Sequence, residues 1–391
     1  MSEWKEYRLG EIADINMGQS PKSDTYNYEK NGLPFFQGNR TFGRLLPSID
    51  TYCSLPTKIA EKNDILFSVR APVGDINYSP EKVCIGRGLC SLRMKSGNQN
   101  FLFYLLNYVK QEIINKESGT VFGSVNKTIL ESLIIKVPDL PTQTAIAEIL
   151  SSLDDKIELN NKINQELENL AQTLFKQWFI DFEFPNENAE PYKSSGGEMV
   201  DSELGEIPEG WKVSEIGLVT KLGAGGDKPK KVSNTATEEL NIPIYSNGIT
   251  NDGLYGYTNE AKIFEESVTI TARGTIGFIC LRTTPFVPIV RLISVIAVEN
   301  YLSTKFLYMW LKNQIIVGNG TTQQQLTVPD FKGSKIIIPS KSIVNEFTNQ
   351  MNLIIDNLNF NKKENKELIV LRDTLLPKLI SGELEINEIS K

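Results

Sequence analysis

Two long stretches of the chain carry apolar residues at helical steps. From about Pro141 to Asp181, Ile146, Ile149, Leu153, Ile157, Ile163, Leu167, Leu170 and Leu174 recur at steps of three and four with one skip, the signature of a helix with one buried stripe. From about Ser342 to Ile380 the same pattern returns in Phe347, Met351, Ile354, Leu358, Leu368, Leu371 and Leu375. At a constant offset Leu153 falls on Ile354, Ile157 on Leu358, Leu167 on Leu368, Leu170 on Leu371 and Leu174 on Leu375. The skipped layers hold asparagine in both helices, Asn160 aligning with Asn361 and Asn164 with Asn365. An asparagine inside a helix seam costs stability and fixes register; at the seam edge it would simply touch water. In an antiparallel pair facing residues have a constant sum, which would set Asn160 against Asn365 and Asn164 against Asn361. The apolar stripes are expected to pack against each other, and Pro377 to end or bend the second helix.

Before each helical stretch the period changes. Short β-rich runs such as Asp64-Ile-Leu-Phe-Ser-Val-Arg70 and Ser267-Val-Thr-Ile-Thr-Ala-Arg273 alternate with Gly, Asn and Pro turn signals, and Leu102–Glu112 and Lys305–Ile315 look helical. These regions also echo one another. Trp4-Lys5 returns as Trp211-Lys212, Arg70-Ala-Pro-Val-Gly74 as Arg273-Gly-Thr-Ile-Gly277, Leu102-Phe-Tyr-Leu-Leu106 as Phe306-Leu-Tyr-Met-Trp310, and Ile134-Ile-Lys-Val-Pro138 as Lys335-Ile-Ile-Ile-Pro339. So long a period means two copies of a whole domain plus a helix. The expected fold class is α+β, with two mixed α/β domains, two long antiparallel coiled-coil helices and a pseudo-twofold internal repeat. The expected boundaries are 1–140 for the first domain, 141–182 for its helix, 183–210 for a Pro-, Glu-, Ser- and Gly-rich linker, 211–340 for the second domain and 341–391 for the last helix and tail.

Composition narrows the chemistry. Histidine is absent from the 391 residues, which removes imidazole acid–base catalysis, Ser-His and Cys-His pairs and most zinc sites. Cys53, Cys84, Cys90 and Cys280 show no CxxC spacing and read as reduced thiols. The N-terminus lacks an apolar signal core and no run is apolar enough to span a bilayer, so a cytoplasmic protein with no membrane partner is expected. The net charge of −7 is unevenly spread. Residues 4–138 hold 17 basic against 13 acidic side chains, residues 211–339 hold 13 against 10, and the remainder holds 11 against 25. The two repeats could therefore face phosphate, while the acidic segments face solvent or protein partners.

Catalytic motifs are missing or weak. No GxxxxGK[S/T] loop occurs, and no Gly-rich cofactor loop pairs with an Asn/Asp-Pro-Pro-aromatic motif. Gly223-Ala-Gly-Gly226 lacks a convincing strand–helix context, and Pro329-Asp-Phe-Lys332, a fragment of a nuclease motif, sits where the repeat places a domain-closing turn. Polar loops offer better candidates, and they come in repeat-related sets: Gln19, Ser20 and Lys22 with Lys228, Lys230 and Lys231; Gln37, Asn39 and Arg40 with Ser246 and Asn247; Arg70 with Arg273; and Ser124, Asn126 and Lys127 with Gln323, Gln324 and Gln325. Amide side chains suit adenine and arginine suits guanine, whereas lysines more often set position on phosphate. The competing view is exposed turn polarity, with the two arginines in internal salt bridges.

The duplicated domain-plus-helix plan resembles Type I restriction-modification specificity subunits, over nearly the whole chain. Trp4-Lys5…Leu9-Gly-Glu-Ile12 and, most specifically, Leu204-Gly-Glu-Ile-Pro-Glu-Gly-Trp211 look like the openings of two target-recognition domains. Ser118-Gly-Thr-Val-Phe-Gly-Ser-Val-Asn126 looks like a closing loop, and Pro138-Asp-Leu-Pro-Thr-Gln143 like the start of the central conserved helix. The second copy departs from that pattern, with Pro339-Ser-Lys341 at the helix start and Gly320-Thr-Thr-Gln-Gln-Gln325 as its loop. The resemblance implies a non-catalytic reader of double-stranded DNA with no cofactor, each domain reading half of a bipartite asymmetric site. It also implies two adenine-methylating modification subunits and motor/nuclease restriction subunits as partners. Each helix of about 40 residues would be about 60 Å long, or roughly 17 base-pair steps. The alternative from another class is a non-catalytic duplicated protein-binding scaffold with a coiled-coil spacer. DNA binding in a gel-shift assay separates the two.

Overall fold

Inner strands buried at every position, Ile65–Ser68 and Ser267–Ile270, anchor the sheet of each repeat. A computed structural model describes residues 4–116, 123–298, 300–318 and 325–386. In the first repeat Ala13–Met17, Leu89–Met94, Ile65–Ser68 and Ile76–Tyr78 form a four-stranded antiparallel sheet in that order. In the second, Thr220–Ala224, Ile293–Ala297, Ser267–Ile270 and Ile279–Arg282 form the same sheet in the same order. Even the register repeats: Cys90 faces Phe67 as Ile293 faces Ile270. A two-stranded ribbon closes each domain, Lys5–Arg8 on Ile134–Val137 and Lys212–Glu215 on Lys335–Ile338.

A second sheet differs between the copies. The first has five short strands, in the order Tyr26–Asn27, Tyr52–Cys53, Leu33–Phe36, Val83–Ile85 and Ile59–Ala60. The second has three, Leu254–Thr258, Ile242–Tyr245 and Val287–Pro288. A parallel pair is common to both, Phe35 beside Cys84 and Ile244 beside Val287. All four cysteines are buried and none is in a disulfide.

Both long helices are continuous, Leu140–Phe179 and Lys341–Ser381. The chain divides into two compact units that cut across the sequential order. Unit one is Met1–Asn161 with Lys362–Lys391, and unit two is Lys162–Asn361. Each unit thus owns one mixed α/β domain and half of each long helix. Among the described residues, no helix is long and apolar enough to cross a membrane.

Within each unit the helix halves run antiparallel, and the asparagines meet. In unit one Asn160 Nδ2 donates to Asn365 Oδ1 at 2.9 Å and to Glu364 Oε2 at 2.6 Å, and Asn365 Nδ2 donates to Asn161 Oδ1 at 2.9 Å. In unit two Asn361 Nδ2 donates to Asn164 Oδ1 at 2.9 Å. The four repeat-related asparagines are buried.

The apolar stripe is corrected in part. Ile146, Ile157, Phe347, Met351 and Ile354 are buried, but Ile163, Leu170 and Leu371 are 40%, 53% and 46% exposed. The seam of the first helix instead passes through Leu150, Asp154, Asn160, Asn164, Ala171 and Phe175. Polar residues that hydrogen-bond one another occupy seam layers, with Asn160 Oδ1 left buried and without a hydrogen-bond partner among the described residues, so the largest aliphatic side chains do not mark the buried face throughout. Pro377 does not end its helix, which runs on to Ser381. Its ring removes one backbone hydrogen bond, while Leu379 and Ile380 bury the last turn in the unit-one core. Gly382, at φ +77°, ends the helix; a Cβ there would stand 2.6 Å from Trp4 Nε1.

Candidate nucleic-acid interface

In unit one, four loops run side by side, stitched by backbone hydrogen bonds. Gly88 N donates to Gln37 O at 3.0 Å, Val69 N to Gly88 O at 2.9 Å, and Val125 N to Val69 O at 3.0 Å. This ladder gathers the candidates on the loops after Leu33–Phe36, after Ile65–Ser68 and before the short helix Lys127–Glu131. The loop carrying Gln19 and Ser20 joins the group, with Gln19 N donating to Ile85 O at 3.0 Å. Ser20 Oγ donates to Gln37 Oε1 at 2.9 Å and accepts from Arg87 N at 3.3 Å.

The candidates differ in how much of their polarity is already used. Asn39 Nδ2 donates to Asp75 Oδ2 at 2.6 Å, and Lys110 Nζ donates to the other oxygen of that carboxylate at 3.1 Å. Arg40 pairs with Asp50 at 2.6 Å, both exposed, and the Thr51 hydrogen bond, followed by that of Arg40, holds the Asp50 carboxyl below its ordinary range. Asn126 caps its helix, its Oδ1 accepting from Ile129 N at 2.9 Å, and Lys127 pairs with Glu131 at 3.5 Å. Arg70 forms an isolated bridge with Ser124 and exposes its side chain, as Lys22 and Gln19 do.

Unit two carries a ladder that matches this one in part. Ile289 N donates to Tyr245 O at 2.9 Å, Arg291 N to Gly225 O at 2.8 Å and Leu326 N to Ala272 O at 3.0 Å. Asn247 spends both ends of its amide here: Nδ2 donates to Val290 O at 2.6 Å and Oδ1 accepts from Ala272 N at 2.7 Å. It therefore holds loops together rather than reaching outward. Ser246 N donates to Gly253 O at 2.9 Å. Arg273 Nη2 donates to Gln325 Oε1 at 3.3 Å, beside a cavity of about 740 Å³ lined also by Ile276, Ile316 and Gly318. Lys228 Nζ donates to the Tyr255 hydroxyl at 2.9 Å, and Lys230 and Lys231 are exposed. Gln323 and Gln324 lie outside the described residues.

Three residues of this surface escaped the sequence reading. Arg87 and Arg291 sit on the turns leading into Leu89–Met94 and Ile293–Ala297, in Ile85-Gly-Arg-Gly-Leu89 and Ile289-Val-Arg-Leu292, runs that read as connecting turns. The two do not coincide in the repeat, Arg87 matching Val290 and Gly88 matching Arg291, so self-similarity gave no signal for them. Arg282 is the third; it is buried, stacks 3.6 Å from the Tyr245 ring centroid, and donates to Thr269 Oγ1 at 2.9 Å and Asp252 O at 2.7 Å. Among the described residues, no group of three Cys, Asp or Glu side chains is placed to share a metal ion.

Such a duplicated pair of loop surfaces on mixed α/β domains, each with helix halves beneath, defines a class. The family model for the Type I restriction modification DNA specificity domain matches twice, over residues 1–169 and 208–369. The chain belongs to this Type I restriction-modification DNA specificity family. It is 42% identical over 176 residues to a protein of Methanocaldococcus jannaschii provisionally named as the specificity subunit of the type I restriction enzyme MjaX, a match covering 44% of this chain and 41% of that one. It is 28% identical over 467 residues to the type I restriction enzyme HindI specificity subunit of Haemophilus influenzae, covering 98% of this chain and 100% of that one. The crystal structure of the type I restriction-modification S subunit from M. genitalium shares the fold, with a TM-score of 0.64 at 18% identity over 97% of this chain and 96% of that one.

Proposed function

We propose that the protein is the sequence reader of a Type I restriction-modification complex, each unit's loop surface reading one half of a bipartite, asymmetric site in double-stranded DNA. The observation that carries this reading is the repeated loop ladder. Part of the backbone scaffold is common to both units, Gly86 N to Phe36 O recurring as Ile289 N to Tyr245 O and Val125 N to Val69 O as Leu326 N to Ala272 O; an arginine is kept on it, Arg70 and Arg273, while other tips differ, Gln37 and Arg87 in one unit and Ser246 and Val290 in the other. A conserved frame with divergent tips is what reading two different half-sites with one fold requires.

The helices set the distance between half-sites and dock two adenine-methylating modification subunits, which motor/nuclease subunits join for restriction. Exposed apolar side chains on the helix halves support docking: Leu159, Val370 and Leu371 in unit one, and Ile163, Leu170, Leu353 and Phe360 in unit two. The reaction belongs to the partners, and this chain contributes binding and selection. The test is to express the full chain with its modification subunits and map adenine methylation across a genome. A two-part motif is the expected product. Methylation without a motif, or DNA bound no better than by a control protein, overturns this reading.

A further inference from the structure

We propose that Arg87, with Gln37 beside it, is the base-selecting pair of unit one and selects a guanine. The proposal deepens the DNA-reading function above and rests on it. Its basis is the turn Gly86-Arg87-Gly88-Leu89, which joins strands of two different sheets, and what surrounds it.

The turn is locked by its backbone. Gly86 N donates to Phe36 O at 2.8 Å, Gly88 N to Gln37 O at 3.0 Å and Leu89 N to Gly86 O at 3.0 Å. The Ser20 hydroxyl takes the remaining N–H, that of Arg87. Only glycine fits on either side of the arginine. A Cβ on Gly86 would lie 2.4 Å from Gln37 Oε1, and one on Gly88 2.5 Å from Gln37 O. The close approach fixes the Arg87 backbone against Gln37 and leaves the guanidinium exposed, with no ion pair among the described residues. Arg40, by contrast, is bound to Asp50. Preorganisation of this kind is what a specific contact needs, because little is left to be ordered on binding.

Hydrogen-bond polarity then names the base. Ser20 Oγ accepts from Arg87 N, so its single proton goes to Gln37 Oε1. That leaves the Gln37 amide presenting N–H donors, next to a guanidinium that has donors alone. Cytosine shows a donor in the major groove, adenine a donor beside its acceptor, and thymine one acceptor with a methyl group; guanine offers two acceptors, O6 and N7. A donor-only pair matches guanine.

Unit two lacks this device. Its equivalent turn, Ile289–Leu292, closes the same way, with Leu292 N donating to Ile289 O at 3.1 Å. The position of Arg87 is taken there by Val290, in the left-handed region at φ 54° and 48% exposed, its carbonyl held by Asn247. The guanine assignment therefore applies to one half-site only.

The test uses the full chain with its modification subunits and reads both the methylated motif and the salt dependence of DNA binding. Arg87→Ala and Arg87→Lys are compared with Lys22→Ala, an exposed lysine serving as the phosphate-contact control. The expected result is that both Arg87 variants lose about 10- to 100-fold discrimination at one guanine in one half of the motif, the other half and the gap staying unchanged. Gly86→Ala, which displaces Gln37, should weaken selection at the same position. An Arg87→Ala complex with the wild-type motif overturns the proposal. So does a uniform loss of affinity with a shallower salt slope, the mark of a phosphate contact. A wild-type complex that methylates without any motif overturns instead the DNA-reading function on which the proposal stands.

Discussion

In unit one the residue that meets Arg372 across the helix pair is Asp154; at the repeat-equivalent places unit two has Ile355 and Ala171. Asp154 is 2% exposed and accepts from Arg372 Nη1 at 2.6 Å, from the Tyr104 hydroxyl at 2.7 Å and from Arg44, whose Nε also reaches Glu158 at 2.6 Å. Burial beside this carboxylate pushes the Tyr104 hydroxyl pKa far up, so the phenol remains a donor. In unit two Ile355 and Ala171 join an apolar core with Met309 and the aromatic group Phe175, Trp178, Phe179 and Phe347. One fold thus closes the same layer once by charge and once by packing. The difference teaches that the ionic version ties the loop bearing Arg44 to the helix by directional bonds, whereas the apolar version closes the layer by burial.

The comparison can be broken at several points, and hydrogen exchange resolved by unit reads each one without assuming that the chain unfolds in one step. The largest effect belongs to the aromatic group. Phe347→Ala should destabilise unit two by about 4 kcal/mol and leave protection in unit one unchanged. Asp154→Ala comes next, because it strands two arginines; a loss of about 3 kcal/mol is expected, confined to unit one. Copying unit two, as Asp154→Ile with Arg372→Ala, should recover most of that loss, and a double variant worse than Asp154→Ala would contradict the equivalence of the two layers. The asparagine layers predict a smaller, matched effect. Double-mutant cycles of Asn160 with Asn365 and of Asn164 with Asn361 should each give a coupling of about 1 kcal/mol.

The smallest effect is in acid. Hydrogen bonds from Asn160 and Lys156 lower the Glu364 pKa. A depressed folded-state pKa adds stability that is complete above the ordinary glutamate range and is lost as pH falls through the lower folded value. Glu364→Gln should therefore lower unit-one stability slightly at neutral pH and flatten its acid dependence; an unchanged pH profile would show that the contact contributes nothing.

Periodicity and self-similarity made the large plan legible. The helices, the duplicated sheets and the asparagine register follow from residues spaced along the chain, and a constant offset carries one copy onto the other. The layers built from polar residues were harder to read. Asp154 stands in Ser-Ser-Leu-Asp-Asp-Lys, which looks like a solvated face, yet its repeat partner is a buried isoleucine, the one hint that it points inward. Leu170 and Leu371 misled in the opposite sense, since their size suggests burial and their role does not need it. Arg87 was invisible because its importance comes from Gln37, fifty residues away in sequence, and from two glycines whose close contacts exist only in the folded sheet. The unit boundary was also hidden, because a continuous helix gives no local sign of changing partners at its middle.

The central claim is that each unit reads its own half of the DNA site. The most direct measurement is the methylated motif made by the full chain with its modification subunits after the unit-one loops bearing Gln19–Lys22, Gln37–Arg40 and Arg87 are replaced by those of a homologue with a known, different motif. The account predicts that one half of the motif changes to that of the donor, while the other half and the gap between them stay as they were. A change in both halves, or in neither, would contradict it.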